Sequence, residues 1–352
     1  MKLPERVRRH SAELAKAMNA QLIAVAALFW LVQFSALAQD VKPGQIDLPS
    51  THFDLSKLEL DSERRIQLEA ALAKHDYQAA ETILVDEFER DPKSLRAANL
   101  LEFAGGIFFL DGKYLNSAIA WKKAEAIAPL DERSRFTLAM AYIKLGRREW
   151  ARPVLEKLAS AAPTNPLYAY WLARLDYDSQ RYLEAIERLQ KVVELNTKMA
   201  RAYDLLGLCY DYLGRMEDAI TNFQRAVALN REQSIPSPWP SLDMAISQIE
   251  VNQLAEAEKY AREAIAYDPH LPQAHYQLGR ILEKQGQYQQ AIQTLDTAVA
   301  LDAKYPEPHY LLGRIYQRLG QPQMANREIQ QFQKLRQSLA AARGESQPSS
   351  SD

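Results

Sequence analysis

The chain has 352 residues, of which 47% are hydrophobic and 25% charged, and its 43 Lys and Arg residues against 45 Asp and Glu residues give a formal net charge of −2. Such a chain can bury a long apolar core, and it lacks the strong positive charge typical of nucleic-acid-binding proteins. Its one cysteine, Cys209, excludes an intramolecular disulfide. We expect this thiol to be a small buried core group.

Residues 1–38 have the layout of a secretory signal peptide. Five basic residues among the first nineteen precede an apolar run at 20–38, which ends in Ala-Leu-Ala. The small residues at the end of the run favour cleavage after residue 38. The alternative is an uncleaved inner-membrane anchor, because nineteen residues approach the length that spans a bilayer, although Gln21, Gln33 and Ser35 weaken it. Both interpretations predict an exported, periplasmic or secreted protein.

Residues 39–60 separate this leader from the first periodic segment. They contain Lys-Pro-Gly and Leu-Pro-Ser, which favour a linker. A weak copy of the repeat described next occupies 61–94, with Tyr77, Ala80 and Leu84 in place. Its first helix has a poor apolar pattern, so we interpret it as a degenerate, capping-type terminal unit.

From residue 98 onward the chain repeats a pattern of 34 residues, and we count repeat positions from the first residue of each copy. Position 8 is always small, position 20 is Ser or Ala, and most copies have Gly at position 15. Apolar residues recur at intervals of three and four, which indicates helices and not strands. Each copy is predicted to form two antiparallel helices, in the ranges 98–131, 132–165, 166–199, 200–233, 238–271, 272–305 and 306–339.

Two repeat positions carry most of the structural signal. Small residues at position 8 let two helix backbones approach closely, while large residues such as Leu206, Tyr210 and Phe223 fill the space between helices. Gly at position 15 tolerates the positive φ at which a helix can end. Gln180 and Asn252 occupy this turn position in two copies.

The clearest break in the period lies at residues 234–240, where four extra residues and three prolines lengthen one copy. The prolines predict an extended or turn-like segment. One interpretation is a stiff ligand-contacting loop with Trp239 as an exposed anchor. We favour the other, a tolerated surface insertion with Trp239 packed on the neighbouring hairpin.

The C-terminal end is predicted in two parts. Residues 323–343 form a long polar helix with a sparse apolar stripe, which suits a solubilising cap on the last hairpin. The residues at 340–352 include a final stretch of Ser, Gln and Pro with little to bury, and we predict a disordered tail.

Over residues 61–339 these copies resemble the tetratricopeptide repeat. The resemblance implies an all-α, right-handed superhelical solenoid of helical hairpins, about seven full repeats plus one degenerate N-terminal unit. In that family the first helices line a concave face that usually binds peptides or proteins.

The resemblance implies no catalysis. The sequence has no Gly-rich phosphate loop, no His-Glu-x-x-His and no Gly-x-Ser-x-Gly. We therefore predict a non-enzyme without cofactor or metal. His275 and His309 share a repeat position, and we interpret them as packing residues and not as a metal pair.

The resemblance also assigns the binding groove to repeat positions 2, 5, 6, 9, 12 and 13. Tyr, Trp and Arg dominate these positions, and these types are enriched at interfaces, although they can equally bridge neighbouring helices. Arg280, Arg314 and Arg318 would suit an acidic segment, because guanidinium groups pair carboxylates bidentately. The predicted partner-binding residues are Tyr170, Trp171, Arg174, Tyr177, Tyr212, Tyr276, Arg280, Tyr310, Arg314 and Arg318.

These features predict an exported, non-catalytic scaffold that binds a protein or peptide and supports assembly of a bacterial envelope complex. Two alternatives stay open at this point. One is an envelope polysaccharide-binding module, because the rings of Tyr170, Trp171 and Tyr177 can stack on sugar faces. The other is an accessory subunit of an exported enzyme. No nucleic-acid partner is expected, and an uncleaved leader would associate the protein with the membrane.

Overall fold

The computed structural model describes residues 55–92 and 94–342. The predicted leader at 1–38, most of the linker and the end of the tail lie outside these residues. The described chain begins with a short 3-10 helix at Leu55–Leu58 and is otherwise α-helical in its regular structure. None of these described helices combines the length and the apolarity needed to cross a bilayer.

Sixteen α-helices follow one another as antiparallel pairs in this part of the chain. The first helices of the pairs are α1 (Ser62–Ala73), α3 (Leu95–Leu110), α5 (Glu132–Lys144), α7 (Pro166–Asp178), α9 (Ala200–Tyr212), α11 (Trp239–Glu250), α13 (Pro272–Lys284) and α15 (Pro306–Arg318). The second helices are α2 (Tyr77–Arg90), α4 (Tyr114–Ile127), α6 (Arg148–Ala161), α8 (Tyr182–Leu195), α10 (Met216–Arg231), α12 (Leu254–Tyr267), α14 (Tyr288–Leu301) and α16 (Pro322–Ala342).

The described residues divide into two compact units, one ending at Leu301 and one beginning at Asp302. The first unit is a stack of seven hairpins in which each helix packs against the next, from α1 to α14. The second unit is the single hairpin α15–α16. The predicted all-α solenoid of helical hairpins, with about seven full repeats, is confirmed.

Glycine at position 8 permits the close packing inside the hairpins. A Cβ atom on Gly105 would lie 2.7 Å from Cε2 of Trp121, and one on Gly207 would lie 2.5 Å from Cε1 of Phe223. Both distances are far inside van der Waals contact. The ring of the second helix therefore occupies the space that a side chain on the first helix would need.

The turn between the two helices of a hairpin keeps one backbone conformation whatever its residue. Gly146 and Gly214 have φ of 70° and 71°, and Gln180 and Asn252 both have φ of 59°. Only glycine adopts this left-handed region without a steric penalty. The two departures from glycine thus change the energy of the turn and not its shape.

The proline-rich insertion is held by the end of α10. The side-chain amide of Asn230 donates to the Ser237 carbonyl at 2.8 Å, and its oxygen accepts from the Ser237 backbone N–H at 2.8 Å. Trp239 then starts α11 and packs, partly buried, against a cluster that includes Leu242 and Leu271. The interpretation of Trp239 as a packing residue is confirmed.

The one cysteine is buried, and the two histidines that share a repeat position each lie within hydrogen-bond distance of another group of the protein. Cys209 is fully buried, and burial raises the pKa of its thiol to about 12. His275 Nε2 lies 2.9 Å from the Pro269 carbonyl oxygen, and His309 Nδ1 lies 2.7 Å from a carboxylate oxygen of Glu328. Each histidine ring is thus engaged within its own hairpin or at that hairpin's entry.

Candidate functional site

The predicted groove of the first unit lies on its odd-numbered helices. Helices α7, α9, α11 and α13 contact one another in succession, whereas no two even-numbered helices of residues 55–301 make a comparable contact. First helices that approach more closely than second helices lie on the inner side of a curved stack. The groove residues at 170–284 therefore share one concave surface.

Two of the predicted aromatic contacts are buried in the helix layer. Tyr170 and Trp171 are each 7% exposed, and their rings meet edge to face with centroids 5.7 Å apart. The guanidinium of Arg201 lies 4.8 Å from the Tyr170 ring centroid. These rings bury a large apolar area, so their contribution is mainly to packing. Neither ring offers the open face that stacking on a sugar would require.

A cluster of three tyrosines is the most accessible aromatic feature of the groove. Tyr182 and Tyr212 stack with centroids 5.0 Å apart and planes 12° apart, and Tyr177 meets each of them edge to face at 5.7 Å. Tyr212 is 60% exposed. Burial, followed by the charge and hydrogen bond of Tyr212, raises the pKa of the Tyr177 hydroxyl. The Tyr177 hydroxyl therefore stays protonated at ordinary pH.

Arg174 and Arg280, both predicted partner contacts, already have partners in the groove. Arg174 Nε lies 3.3 Å from Asp178, and its guanidinium lies 5.7 Å from the Tyr177 ring centroid. Arg280 donates to the side-chain oxygen of Gln277 at 2.8 Å and lies 3.5 Å from Glu250. Their positive charge is thus partly neutralised within the protein. This weakens the expectation that Arg280 binds an acidic segment of a partner.

The floor of the groove between α9 and α11 is acidic and poorly paired. Asp243 is 7% exposed, and one carboxylate oxygen of Asp204 is buried without a hydrogen bond. Burial raises the pKa of both carboxyls, to about 7 for Asp243 and well above its ordinary value for Asp204. The Asp243 charge raises the pKa of Asp204 further, while the positive charge of Arg174 lowers the pKa of both.

The acidic region extends to the end of α9. Burial, and then the charge of Glu250, raises the pKa of Asp211. The Asp211 charge in turn raises the pKa of Asp243. The pKa values of three carboxyl groups on two adjacent first helices are therefore raised, mainly by burial.

Three of the ten predicted residues belong to the second unit. Tyr310 is 45% exposed, packs at 5.3 Å against Phe332 and lies 6.0 Å from the Arg314 guanidinium. Arg318 is exposed at the end of α15. In the first unit, Tyr276 is half-buried on α13.

Sequence reasoning missed Asp243 and Tyr182. Asp243 stands at position 6 of the copy at 238–271, which is one of the groove positions, so the repeat register could have identified it. Tyr182 begins a second helix, outside the groove positions, and reaches the groove only through its stack with Tyr212. Nothing in the register of first helices indicates that contact.

Carboxyl groups and aromatic rings are the distinctive groups of this surface. Within residues 55–92 and 94–342, no three His, Cys, Asp or Glu side chains are grouped to hold a metal ion. The unusual chemistry of the groove is instead a set of buried carboxyls beside tyrosine rings. Such groups can recognise a ligand by charge and by ring contact.

Family models match the chain over much of its helical part. Tetratricopeptide repeat models match residues 132–165, 248–315 and 284–341. A model described as anaphase-promoting complex, cyclosome, subunit 3, matches residues 149–226. No curated protein sequence matches the chain.

Solved structures share the fold at low sequence identity. A tetratricopeptide repeat protein from Parabacteroides merdae has a TM-score of 0.60 and 18% identity, covering 74% of this chain and 99% of that one. The Cut9–Hcn1 hetero-tetramer of APC/C has a TM-score of 0.58 and 17% identity, and the match covers 73% of this chain and 49% of that one. PilW, described as a type IV pilus biogenesis factor, has a TM-score of 0.53 and 21% identity, and the match covers 58% of this chain and 92% of that one.

Proposed function

Since the chain belongs to the tetratricopeptide repeat family, we propose that it is an exported, non-catalytic scaffold that binds a protein or peptide in the groove of its first helices. The family and the fold are those of protein-interaction scaffolds, which are generally non-catalytic. The bound segment lies along α7, α9, α11 and α13 and supports assembly of a complex in a bacterial envelope.

Tyr212 carries this proposal. Its ring is 60% exposed although it belongs to a stacked aromatic cluster, and it contacts Tyr177, on whose hydroxyl the Asp243 charge acts. A large exposed ring next to desolvated polar groups is the composition found at the centre of protein interfaces. Tyr212 is therefore the residue at which a bound segment makes contact.

Export is supported by the leader at 1–38, which has a basic start, an apolar run and small residues before the predicted cleavage point. PilW shows that a protein of similar fold is described in pilus biogenesis, an envelope process. The buried state of Tyr170 and Trp171 makes a polysaccharide ligand the weaker alternative.

Site-specific photocrosslinking tests the binding mode. A photoreactive phenylalanine replaces Tyr212 in the full chain, expressed in its own host, and a matched variant carries it at Gln224, which is exposed on the second helix α10. We expect a discrete crosslink at 212 that protease digestion assigns to one peptide segment, and none at 224. Equal crosslinking at both positions, or a glycan product at 212, would contradict the proposal.

A reporter fusion tests export separately. Residues 1–60 fused to a β-lactamase that lacks its own signal should confer ampicillin resistance on a bacterial host, and deletion of residues 2–38 should abolish it. The N-terminus of the exported product distinguishes cleavage before Gln39 from a retained anchor. Resistance that persists after the deletion would exclude the leader as the export signal.

A further inference from the structure

We propose that Asp204 and Asp243 form a receptor for one basic side chain, a lysine or an arginine, of the bound segment. The inference rests on the proposed function and names the partner's chemistry at one point of the same groove. The cation enters between α9 and α11 and makes hydrogen bonds with the two carboxylates, with the tyrosine cluster as its neighbour.

The same chain shows what a buried carboxylate looks like when its role is structural. Asp176 is 1% exposed, and its two oxygens lie 2.9 Å, 2.5 Å and 2.8 Å from Arg152, Arg181 and Arg188. Three guanidinium groups from α6, the turn and α8 converge on it. This carboxylate is fully paired, as buried charges in folded proteins usually are.

Asp204 and Asp243 do not follow that pattern. One oxygen of Asp204 is buried without a hydrogen bond. Asp243 is 7% exposed, and its carboxylate takes part in no hydrogen bond or ion pair formed by residues 55–92 and 94–342. An ionised carboxylate is an acceptor with about four lone-pair sites. A buried acceptor that lacks a donor is destabilised, so a donor that binds between α9 and α11 would stabilise the Asp204 oxygen.

The positive charge of Arg174 does not balance the two carboxyls of Asp204 and Asp243. Arg174 is the cation whose charge acts on both carboxyls. Its guanidinium already lies 3.3 Å from Asp178 and over the Tyr177 ring. Asp211 adds a further negative charge to the same side. Ionisation of both carboxyls would leave the groove floor short of positive charge, and a basic group of the partner would supply that charge.

The aromatic residues favour the same kind of ligand. The Asp243 charge acts on the Tyr177 hydroxyl, so the tyrosine cluster and the carboxyl pair are neighbours. Tyrosine ring faces beside carboxylates attract an ammonium or guanidinium group. An acidic or purely apolar side chain would leave both carboxyls unsatisfied.

Selection from a random peptide library tests which ligand chemistry the groove prefers. The full chain is used to select from a phage-displayed library of random dodecapeptides, in parallel with the variants Asp204→Asn, Asp243→Asn and the double variant. Asp218→Asn on the exposed side of α10 is the matched control. Asparagine preserves the shape of aspartate, and circular dichroism checks that each variant folds.

We expect peptides selected by the wild type and by Asp218→Asn to share a Lys or Arg at one position, and we expect the double variant to select peptides without it. For one selected peptide, replacing that residue by norleucine should weaken binding at least tenfold to the wild type and less than threefold to the double variant. Comparing lysine with arginine at that position shows which cation fits better.

Two results would overturn the inference and leave the proposed function intact. The wild type could select groove-binding peptides without a shared basic residue, or the double variant could retain the same basic preference. Failure of the proposed function has a different signature. In that case wild-type peptides would bind equally well when Tyr212 is replaced by Ala, because their site would lie outside the groove.

Discussion

At the scale of single residues, the contact between Gly207 and Phe223 sets how closely two helices of a hairpin approach. A Cβ atom on Gly207 would lie 2.5 Å from the Phe223 ring. We predict that Gly207→Ala lowers the free energy of unfolding by about 1–3 kcal/mol, because the ring must leave its position or the helices must separate. Chemical denaturation followed by circular dichroism measures the change.

A second substitution checks this mechanism. The repeat register places Ala139 and Ala173 opposite Leu155 and Leu189, so an Ala–Leu pair is accommodated at equivalent positions of this chain. Phe223→Leu should therefore recover part of the stability that Gly207→Ala removes. If the two losses simply add, steric conflict with the ring is not the cause.

The buried carboxyl of Asp243 makes stability depend on pH. Its pKa is raised from 3.8 to about 7 by burial and by the charge of Asp211, against the opposing charge of Arg174. Between these two values the folded state keeps a proton that the unfolded state releases, so stability falls as the pH rises from about 4 to about 7. At about 1.4 kcal/mol for each pH unit between the two pKa values, the loss is at most about 4 kcal/mol.

Asp243→Asn should remove most of this dependence and stabilise the protein at pH 8. Melting temperatures measured from pH 4 to pH 8 test this, with Asp218→Asn as the control that keeps the wild-type slope. Asp204 faces the same Arg174 and retains its own raised pKa, so some slope should persist in the single variant. A slope unchanged from the wild type would show that Asp243 titrates near its ordinary value.

At the scale of secondary-structure elements, one amide side chain holds the only long connection between hairpins of the first unit's described residues. Asn230 is 1% exposed and makes both of its hydrogen bonds to the backbone of Ser237. We predict that Asn230→Ala lowers the free energy of unfolding by about 1–3 kcal/mol, because two buried hydrogen bonds to the backbone of Ser237 are lost. Limited proteolysis should cut near residue 235 faster in this variant.

Ile235 supplies the control for that experiment. It is 87% exposed at the tip of the same connection, so Ile235→Ala should leave stability unchanged. Equal effects of the two substitutions would show that the loop as a whole, and not its anchor at Asn230, determines the stability.

The helices and turns were predictable because they depend on spacing within a repeat. Small residues at position 8 and a turn at position 15 recur in the sequence, and Gln180 and Asn252 adopt the glycine conformation because the packing of the two helices over-determines it. The groove was less predictable. Tyr170 occupies a groove position yet is 7% exposed, because its neighbours Trp171 and Arg201 cover it.

The unsatisfied carboxyls could not be identified from the register alone. Position 6 places Asp243 on the groove side of α11, but its lack of partners depends on where Arg174 points. That guanidinium lies against Asp178 on its own helix. Side-chain pairing of this kind is decided by rotamers and burial, which a 34-residue spacing does not encode.

At the scale of the whole molecule, the first unit is a linear array in which each helix contacts its sequence neighbours and several first helices also contact the next first helix. Stability in such arrays is close to a sum of repeat and nearest-neighbour terms. The terminal hairpin is then weaker than an internal one. Helix α1 buries only Leu68 and Ala71, whereas α9 buries seven of its residues.

Hydrogen exchange under native conditions should resolve this difference. We predict that backbone amides of α1 and α2 exchange faster than those of α9 and α10, because the terminal hairpin opens without disturbing distant repeats. Leu68→Ala in the full chain should accelerate exchange in α1 and α2 and leave α9 and α10 unchanged, since a cavity in one repeat lowers the stability of that repeat and its immediate neighbour. Uniform acceleration from α1 to α10 would show instead that the first unit unfolds as one cooperative block, and mass spectrometry of peptic fragments distinguishes the two outcomes.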